Sequence, residues 1–554
     1  MTSLDPREVL RTAFGHLAFR PGQEQVVRAV LDGHDVLAVM PTDSGKSLGY
    51  QLPALLLPGL TLVVSPLIAL MKDQVDELGR KGIEAAALHS LQTPEERRRS
   101  LHAARTGALR LLYVAPERFA SAGFDRLLGE LSVARFAVDE AHCVSEWGHD
   151  FRPDYRLLAA AASRCKRSDG GDGRPPVIAF TATATREVRS DITALLGLED
   201  PLLFVAGFDR PNLFLDVRRV SGEIEKREIL PGLVGTRRAL VYTSTRKSAE
   251  RAAEALRAAR VPAEAYHAGR EEADRTRAQE AFADGSLRVV CATNAFGMGI
   301  DRPDVEVVVH FEIPGSLEAY YQEIGRAGRD GRHADATLLW NYVDVRTREF
   351  LIEREDAEED PSRPPSAADA PQREKRRELE RKKLRRMIDY AQAPACLRRT
   401  LLSYFGETGV PDRCGACGPC RSRRAPTDGE VLLLRKILSG VARGGERWGK
   451  RKVAAMLAGD LEGLPESLAS LSTTGLLADV DARRIEAWID AAVGAGLLRL
   501  SEDSYRTLSL TPEGRLLMTG RPLDVAVVPP PEPAKRRRKR TAGPAGGRAR
   551  GRRR

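Results

Sequence analysis

Short apolar runs rich in β-branched residues punctuate the first part of the chain: Val36 to Met40, Thr61 to Val64, Leu111 to Val114, Phe136 to Val138 and Val177 to Phe180. Polar-apolar stretches with helical spacing lie between them. Strands alternating with helices in this way predict a parallel sheet with helices on both faces. After Arg210 the pattern begins again, with Ala239 to Tyr242, Ala263 to Tyr266, Val289 to Ala292, Val305 to His310 and Ala336 to Leu339. Two consecutive α/β domains, 1–207 and 208–350, are the simplest organisation. One uncharged stretch, Leu48 to Met71, is 24 residues long and meets the length of a membrane span. Pro53, Pro58 and Pro66 break it. It reads instead as a helix end, a turn, a buried strand over Leu60 to Val64 and a loop, so no membrane association is expected.

Beyond residue 350 the pattern changes. Residues 351–371, rich in Pro, Ala and acidic groups, read as a linker, and the insert Ser168 to Pro176 reads as a surface loop. Gln372 to Gln392 is helical and basic and opens a segment, 372–425, that holds four cysteines. In 426–525 two apolar-periodic helices, Glu430 to Ala442 and Ala482 to Ala495, precede a strand pair around Leu497 to Leu500 and Tyr505 to Leu510. That order fits a winged helix. Residues 526–554 hold too few apolar groups to fold alone and are expected to be disordered.

Composition narrows the classes. With 554 residues the chain is too long for a peptide or disulfide miniprotein. The net charge of +10 comes from 87 basic and 77 acidic residues, and 11 of the basic and one of the acidic fall in 526–554. The first 525 residues therefore carry 76 of each sign. A bulk electrostatic case for nucleic-acid binding applies to the tail alone, and for the body the case has to come from motifs. Seven cysteines, four of them clustered, suit a reducing compartment better than a disulfide scaffold. No signal peptide opens the sequence, so a cytoplasmic location is expected, nucleoid-associated in a bacterium.

Candidate chemistry begins after Met40 with Pro41-Thr42-Asp43-Ser44-Gly45-Lys46-Ser47. A loop opening a helix aims backbone N–H groups at phosphate, Lys46 supplies a cation for the β- and γ-phosphates, and the Ser47 hydroxyl suits Mg²⁺. The full G-x-x-x-x-G-K-[ST] pattern is not met, because Met40 stands at the first Gly. A chance turn stays open on this motif alone. A second element, Ala137-Val138-Asp139-Glu140-Ala141-His142, is an apolar strand delivering adjacent carboxylates. Asp139 suits Mg²⁺ and Glu140 suits the attacking water.

With both motifs in order the chain resembles a superfamily 2 helicase, specifically the RecQ family of DNA helicases. The resemblance covers nearly the whole sequence. Phe19-Arg20-Pro21-Gly22-Gln23 is similar to the family's adenine-reading segment, with Arg20 and Gln23 as implied contacts. Ser65-Pro66-Leu67, Met71-Lys72-Asp73-Gln74 and Ala115-Pro116-Glu117-Arg118 are similar to its strand-tracking motifs. Thr181-Ala182-Thr183-Ala184 is similar to the motif linking hydrolysis to motion. Tyr266-His267-Ala268-Gly269, Ala295 to Asp301 and Gln322 to Gly331 follow in family order. Asp301 and Gln322 are implied to face the nucleotide. Arg326 and Arg329, three apart, are expected on one helix face, with Arg329 the arginine finger; solvated surface arginines are the alternative.

Ser145-Glu146-Trp147-Gly148-His149-Asp150-Phe151-Arg152-Pro153 is the most family-specific stretch. Aromatic rings beside Arg suit base stacking on a single strand. The resemblance makes Trp147, His149, Phe151 and Arg152 a DNA-sensing loop, with core packing as the alternative. Cys396, Cys414, Cys417 and Cys420 offer four thiolates at a spacing compatible with structural zinc. An iron–sulfur cluster competes on spacing, and the resemblance favours zinc. Cys143, Cys165 and Cys291 read as small buried hydrophobes.

The expected function is therefore an ATP-dependent 3′-to-5′ DNA helicase in recombination or repair. It would bind ATP with Mg²⁺, bind zinc, and act on single-stranded, duplex or branched DNA, with Tyr505 on the wing as a wedge. A monomer is expected, and a single-stranded-DNA-binding protein is the candidate protein partner. Two departures matter. Asp43 replaces a family Gly and brings a carboxylate towards a triphosphate; His16 stands where the family has Tyr beside the adenine. The family's HRDC domain is expected to be replaced by the basic tail. A DNA-binding protein with its ATPase lost through Asp43, and an RNA helicase, are the rival readings.

Overall fold

The computed structural model describes residues 5–41, 44–148, 150–293, 296, 302–354, 370–393, 395–501, 506–521 and 523–530. Its residues fall into two units, Met1–Arg421 and Ser422–Arg554.

In the first unit eight strands, β1 (Val36–Val39), β2 (Leu60–Val64), β3 (Ala85–Leu88), β4 (Leu111–Val114), β5 (Ser132–Val138), β6 (Lys166–Arg167), β7 (Val177–Thr181) and β8 (Leu202–Val205), form one sheet. The order is β3-β4-β2-β5-β7-β1-β8, with β6 on β5. Every pairing is parallel. The central strands are buried at each position, as a sheet covered on both faces requires. A second sheet uses β9 (Leu213–Arg219), β10 (Ala239–Tyr242), β11 (Ala263–Tyr266), β12 (Val289–Ala292), β13 (Val307–His310) and β14 (Ala334–Trp340) in the order β11-β12-β10-β13-β14-β9, again parallel. These are two tandem RecA-like sheets.

Three sequence expectations change here. The helix Leu48–Leu56 runs through Pro53 and ends just before Pro58, so Pro53 does not break it. The insert Ser168 to Pro176 is more than a surface loop. Its Arg174 reaches buried Asp35 through two guanidinium nitrogens, at 3.0 and 2.5 Å. The strands β3, β8 and β9 were not in the apolar pattern. β3 is alanine-rich and half-buried, and β8 has only part of each side chain covered at the sheet edge.

The helix Ala370–Gln392 then leads to Leu397–Tyr404 and the cysteine cluster, which packs beside β9 through a backbone bridge between Leu215 and Cys417.

The second unit is a winged helix. Its helices Asp428–Arg443, Lys450–Ala458 and Ala482–Gly494 surround Leu434, Ile437, Ile485 and Trp488, and β15 (Leu498–Leu500) pairs antiparallel with β16 (Leu508–Leu510). Thr427 and Glu430 form a capping box that starts the first helix before the expected Glu430. Val527 is fully buried and exchanges backbone hydrogen bonds with Arg424 (3.0 and 2.9 Å), so folded chain extends past residue 525. No helix among the described residues is long and apolar enough to cross a membrane.

Candidate functional site

In a parallel sheet the loops after β1, β5 and β7 leave from the same edge, where ligands of such sheets bind. The loop after β1 carries Ser44 to Ser47. Gly45 takes φ +71°, and a Cβ there would lie 2.7 Å from Gln23 Nε2. Gln23, itself buried, donates to Ser44 O (2.6 Å) and Gly45 O (3.2 Å) and accepts from the Arg20 N–H (2.8 Å). One amide thus ties the Arg20 segment to the loop. Its backbone places Gly22 at φ +80° against Phe204, where a Cβ would come within 1.9 Å of the ring. The His16 and Arg20 side chains are exposed beside this segment. Thr42, Asp43 and Asp301 lie outside the described residues.

Lys46 is buried with its Nζ 3.5 Å from Glu140 Oε1. Asp139 directly follows β5; its N–H donates to Val64 O (2.9 Å) and its carbonyl accepts from the Tyr155 hydroxyl (3.0 Å). Burial, then the neighbouring Glu140 charge, pushes the Asp139 carboxyl up to about 6 against the pull of Lys46. Glu140 adopts a left-handed φ of +46°, which aims its carboxylate back at Lys46 and at His142 Nδ1 (3.3 Å). His142 Nδ1 also lies 2.9 Å from Thr181 Oγ1 at the end of β7. Two carboxylates against one lysine form an acidic donor set that a hard divalent cation fits, with Ser47 at the adjoining helix start.

The second sheet reaches this site through the helix Leu317–Ile324. Gln322 Nε2 donates to Thr183 Oγ1 (3.3 Å), bridging the two sheets beside the carboxylate loop. Arg326 and Arg329 are not on a helix as expected. The helix stops at Ile324, and both arginines sit half-buried in the turn that follows, where Gly328 has φ +60°. Both guanidinium charges act on the buried Tyr242 phenol at the end of β10, which burial pushes up to about 12. The turn therefore lies over the carboxyl edge of the second sheet. The glycines of G-R-A-G-R were the sequence signal for a turn.

The aromatic segment leaves the carboxylate loop directly. Trp147 is 45% exposed, which removes it from the core. Gly148 is needed because a Cβ would lie 2.2 Å from His142 O. Phe151 is half-buried with the Arg156 guanidinium 5.2 Å above its ring. Arg152 holds the loop, donating to Pro66 O (2.9 Å) and pairing with Asp150 (3.1 Å). His149 lies outside the described residues, as does Tyr505. One contributor had no local signal. Lys383, buried on Ala370–Gln392, donates to Gly148 O (2.6 Å) and Glu146 O (3.3 Å) from 235 residues away.

The Sγ atoms of Cys396, Cys414, Cys417 and Cys420 all lie within 4.8 Å of one another, with Cys396 and Cys417 3.9 Å apart. A tetrahedral Zn–S site requires about 3.8 Å between sulfurs, so the four thiols fit zinc. The Cys417 thiol, hydrogen-bonded to Cys396, pulls Cys396 down to about 4. Cys143, Cys165 and Cys291 are buried elsewhere, as expected.

Four family models match in order: DEAD/DEAH box helicase over 20–191, helicase conserved C-terminal domain over 225–331, RecQ zinc-binding over 342–421 and RQC domain over 428–534. The ATP-dependent DNA helicase RecQ of Bacillus subtilis strain 168 is 39% identical over 519 residues, covering 93% of this chain and 83% of its own. The protein of the same name from Pasteurella multocida strain Pm70 is 38% identical over 532 residues, covering 95% and 79%. Among solved structures, the DUF1998 helicase MrfA bound to DNA and AMPPNP shares the fold at a TM-score of 0.51 and 21% identity, covering 69% of this chain and 57% of that one.

Proposed function

The chain belongs to the RecQ family, it is an ATP-dependent DNA helicase with a zinc-binding domain, and from that premise we propose how its residues divide the work. ATP binds against the loop at Ser44 to Ser47, with Lys46 leaving Glu140 for the terminal phosphates and Gln23 and Arg20 facing the base. Mg²⁺, when bound, adds positive charge beside those phosphates, and Ser47 and Asp139 hold it. Glu140 orients the attacking water and accepts its proton, and Arg329, with Arg326, neutralises the charge that develops in transfer.

The observation that carries this reading is the Gln322–Thr183 bridge next to the Lys46–Glu140 pair. Nucleotide between the sheets tightens that bridge, hydrolysis releases it, and alternate gripping advances the protein along one strand in the 3′-to-5′ direction. Trp147 stacks on a base and reports strand contact to Glu140 through the short segment that joins them. The winged helix engages the duplex at the fork. Recombination or repair, a cytoplasmic or nucleoid site, a monomeric state and a single-stranded-DNA-binding protein as partner belong to the same proposal.

Retention of Lys46, Asp139, Glu140 and Arg329 together supports hydrolysis over a purely DNA-binding role despite Asp43. The test is ATPase turnover with and without single-stranded DNA, with single-stranded RNA as competitor. Strong stimulation by DNA, abolished in Lys46→Ala and weakly matched by RNA, is expected. Equal stimulation by RNA, or turnover retained in Lys46→Ala, contradicts the assignment.

A further inference from the structure

The segment that joins the two sheets is gripped from three sides. Phe208, fully buried, stacks on Phe405 with ring centroids 4.7 Å apart and meets Tyr321 edge-on at 5.8 Å, and the Tyr321 hydroxyl donates to Phe208 O (2.8 Å). Two residues on, the Arg210 guanidinium donates to three carbonyls of the turn that carries Arg326 and Arg329: Gly325 O (3.4 Å), Ala327 O (3.1 Å) and Gly328 O (3.0 Å). Asn212 Nδ2 adds Gly328 O and Arg332 O, both at 2.8 Å. The approach is close enough that a Cβ on Gly328 would lie 2.5 Å from that amide nitrogen.

The same segment is held from the cysteine side. Arg398, buried, donates to Arg210 O (2.7 Å) and Leu213 O (2.5 Å) and pairs with the Asp209 carboxylate. It lies on Leu397–Tyr404, whose N-cap residue is Cys396 of the thiol cluster. We infer that Arg210 and Asn212 are positioning residues that fix the arginine turn for phosphoryl transfer, and that Arg398 anchors them to the cysteine cluster.

This rests on the finger role proposed for Arg329. A planar guanidinium reaches three carbonyls at once, whereas an ammonium is a point donor. The N–H groups of the turn are tied by backbone bonds, Arg326 to Glu323 O (3.3 Å), Ala327 to Ile324 O (3.1 Å) and Gly328 to Val305 O (2.8 Å), while its Gly325, Ala327 and Gly328 carbonyls are gathered by the one Arg210 guanidinium. A displacement of about 1 Å at a reacting centre lowers turnover roughly 100-fold.

The test is steady-state ATPase of the full chain at saturating single-stranded DNA for R210A, R210K, N212A, R398A, R329A and the double variant R210A/R329A, with melting temperatures alongside. R210A is expected to lower kcat about 10- to 100-fold and leave KM for ATP and DNA affinity within about twofold. R210K loses nearly as much, and N212A and R398A lose less in the same direction. R210A/R329A is slower than R329A by much less than the R210A loss alone, because Arg210 acts through the turn that carries Arg329 and Arg326. A wild-type kcat in both R210A and N212A, or a multiplicative loss in the double variant, overturns the inference. R329A at wild-type kcat would instead overturn the finger reading, and this inference with it.

Discussion

Asp139 sits at the buried end of a strand, beside Glu140 and across from Lys46, and these neighbours set its protonation. Because burial raises its carboxyl to about 6, the ionised form is disfavoured in the folded chain and the group takes up a proton as pH falls through that value. A protonated Asp139 is a poor ligand for a divalent cation. Mg²⁺ affinity of the nucleotide-free protein is therefore expected to weaken as pH drops through about 6, measured by Mg²⁺ titration between pH 5 and 8; an affinity independent of pH contradicts the role given to Asp139. At this scale the sequence was legible where a motif follows a strand, as for Lys46, Asp139 and Glu140. It was misleading for Arg326 and Arg329, whose spacing of three suited a helix while Gly325 and Gly328 made a turn. It was silent on Arg210, Arg398 and Lys383, because their partners lie more than a hundred residues away.

The strands β1 and β7 owe part of their alignment to a single ion pair. Asp35 is opposed by burial, which alone would raise its carboxyl, but Arg174 and the N–H groups of Glu199 and Val177 outweigh that and hold it below the usual carboxylate range. Its stabilisation is thus fully present above about pH 4 and lost as pH falls through the lowered value. Asp35→Ala leaves the partly buried Arg174 without its main carboxylate and the Val177 and Glu199 N–H groups without their acceptor, and is expected to destabilise the first unit by about 3 kcal/mol, seen as an earlier unfolding transition in urea. An unchanged midpoint contradicts this. Apolar runs located the central strands because these are buried on both faces. They missed β3 and β8, which lack a continuous buried face, and no local pattern marked the insert's Arg174 as the partner of the buried Asp35, 139 positions earlier.

Across the whole molecule the charge is uneven: a neutral body carries the motifs, and the surplus sits at the C-terminal end. Removing residues 531–554, which hold 11 basic residues and one acidic, is expected to weaken DNA binding mainly at low salt and leave kcat at saturating DNA unchanged. A salt-independent loss of affinity, or a lost ATPase, would contradict a tethering role. The domain order was legible from the restart of the strand pattern after Arg210 and from the cysteine spacing, whereas the link from the cysteine cluster through Arg398 to the arginine turn exists only in three dimensions. The central claim is that ATP turnover at Lys46 and Glu140 drives directional strand separation. Unwinding of 3′-tailed and 5′-tailed duplexes, with Lys46→Ala as control, tests it most directly: the account predicts ATP-dependent unwinding of the 3′-tailed substrate and none by the variant, and equal unwinding of both substrates, or unwinding by Lys46→Ala, would contradict it.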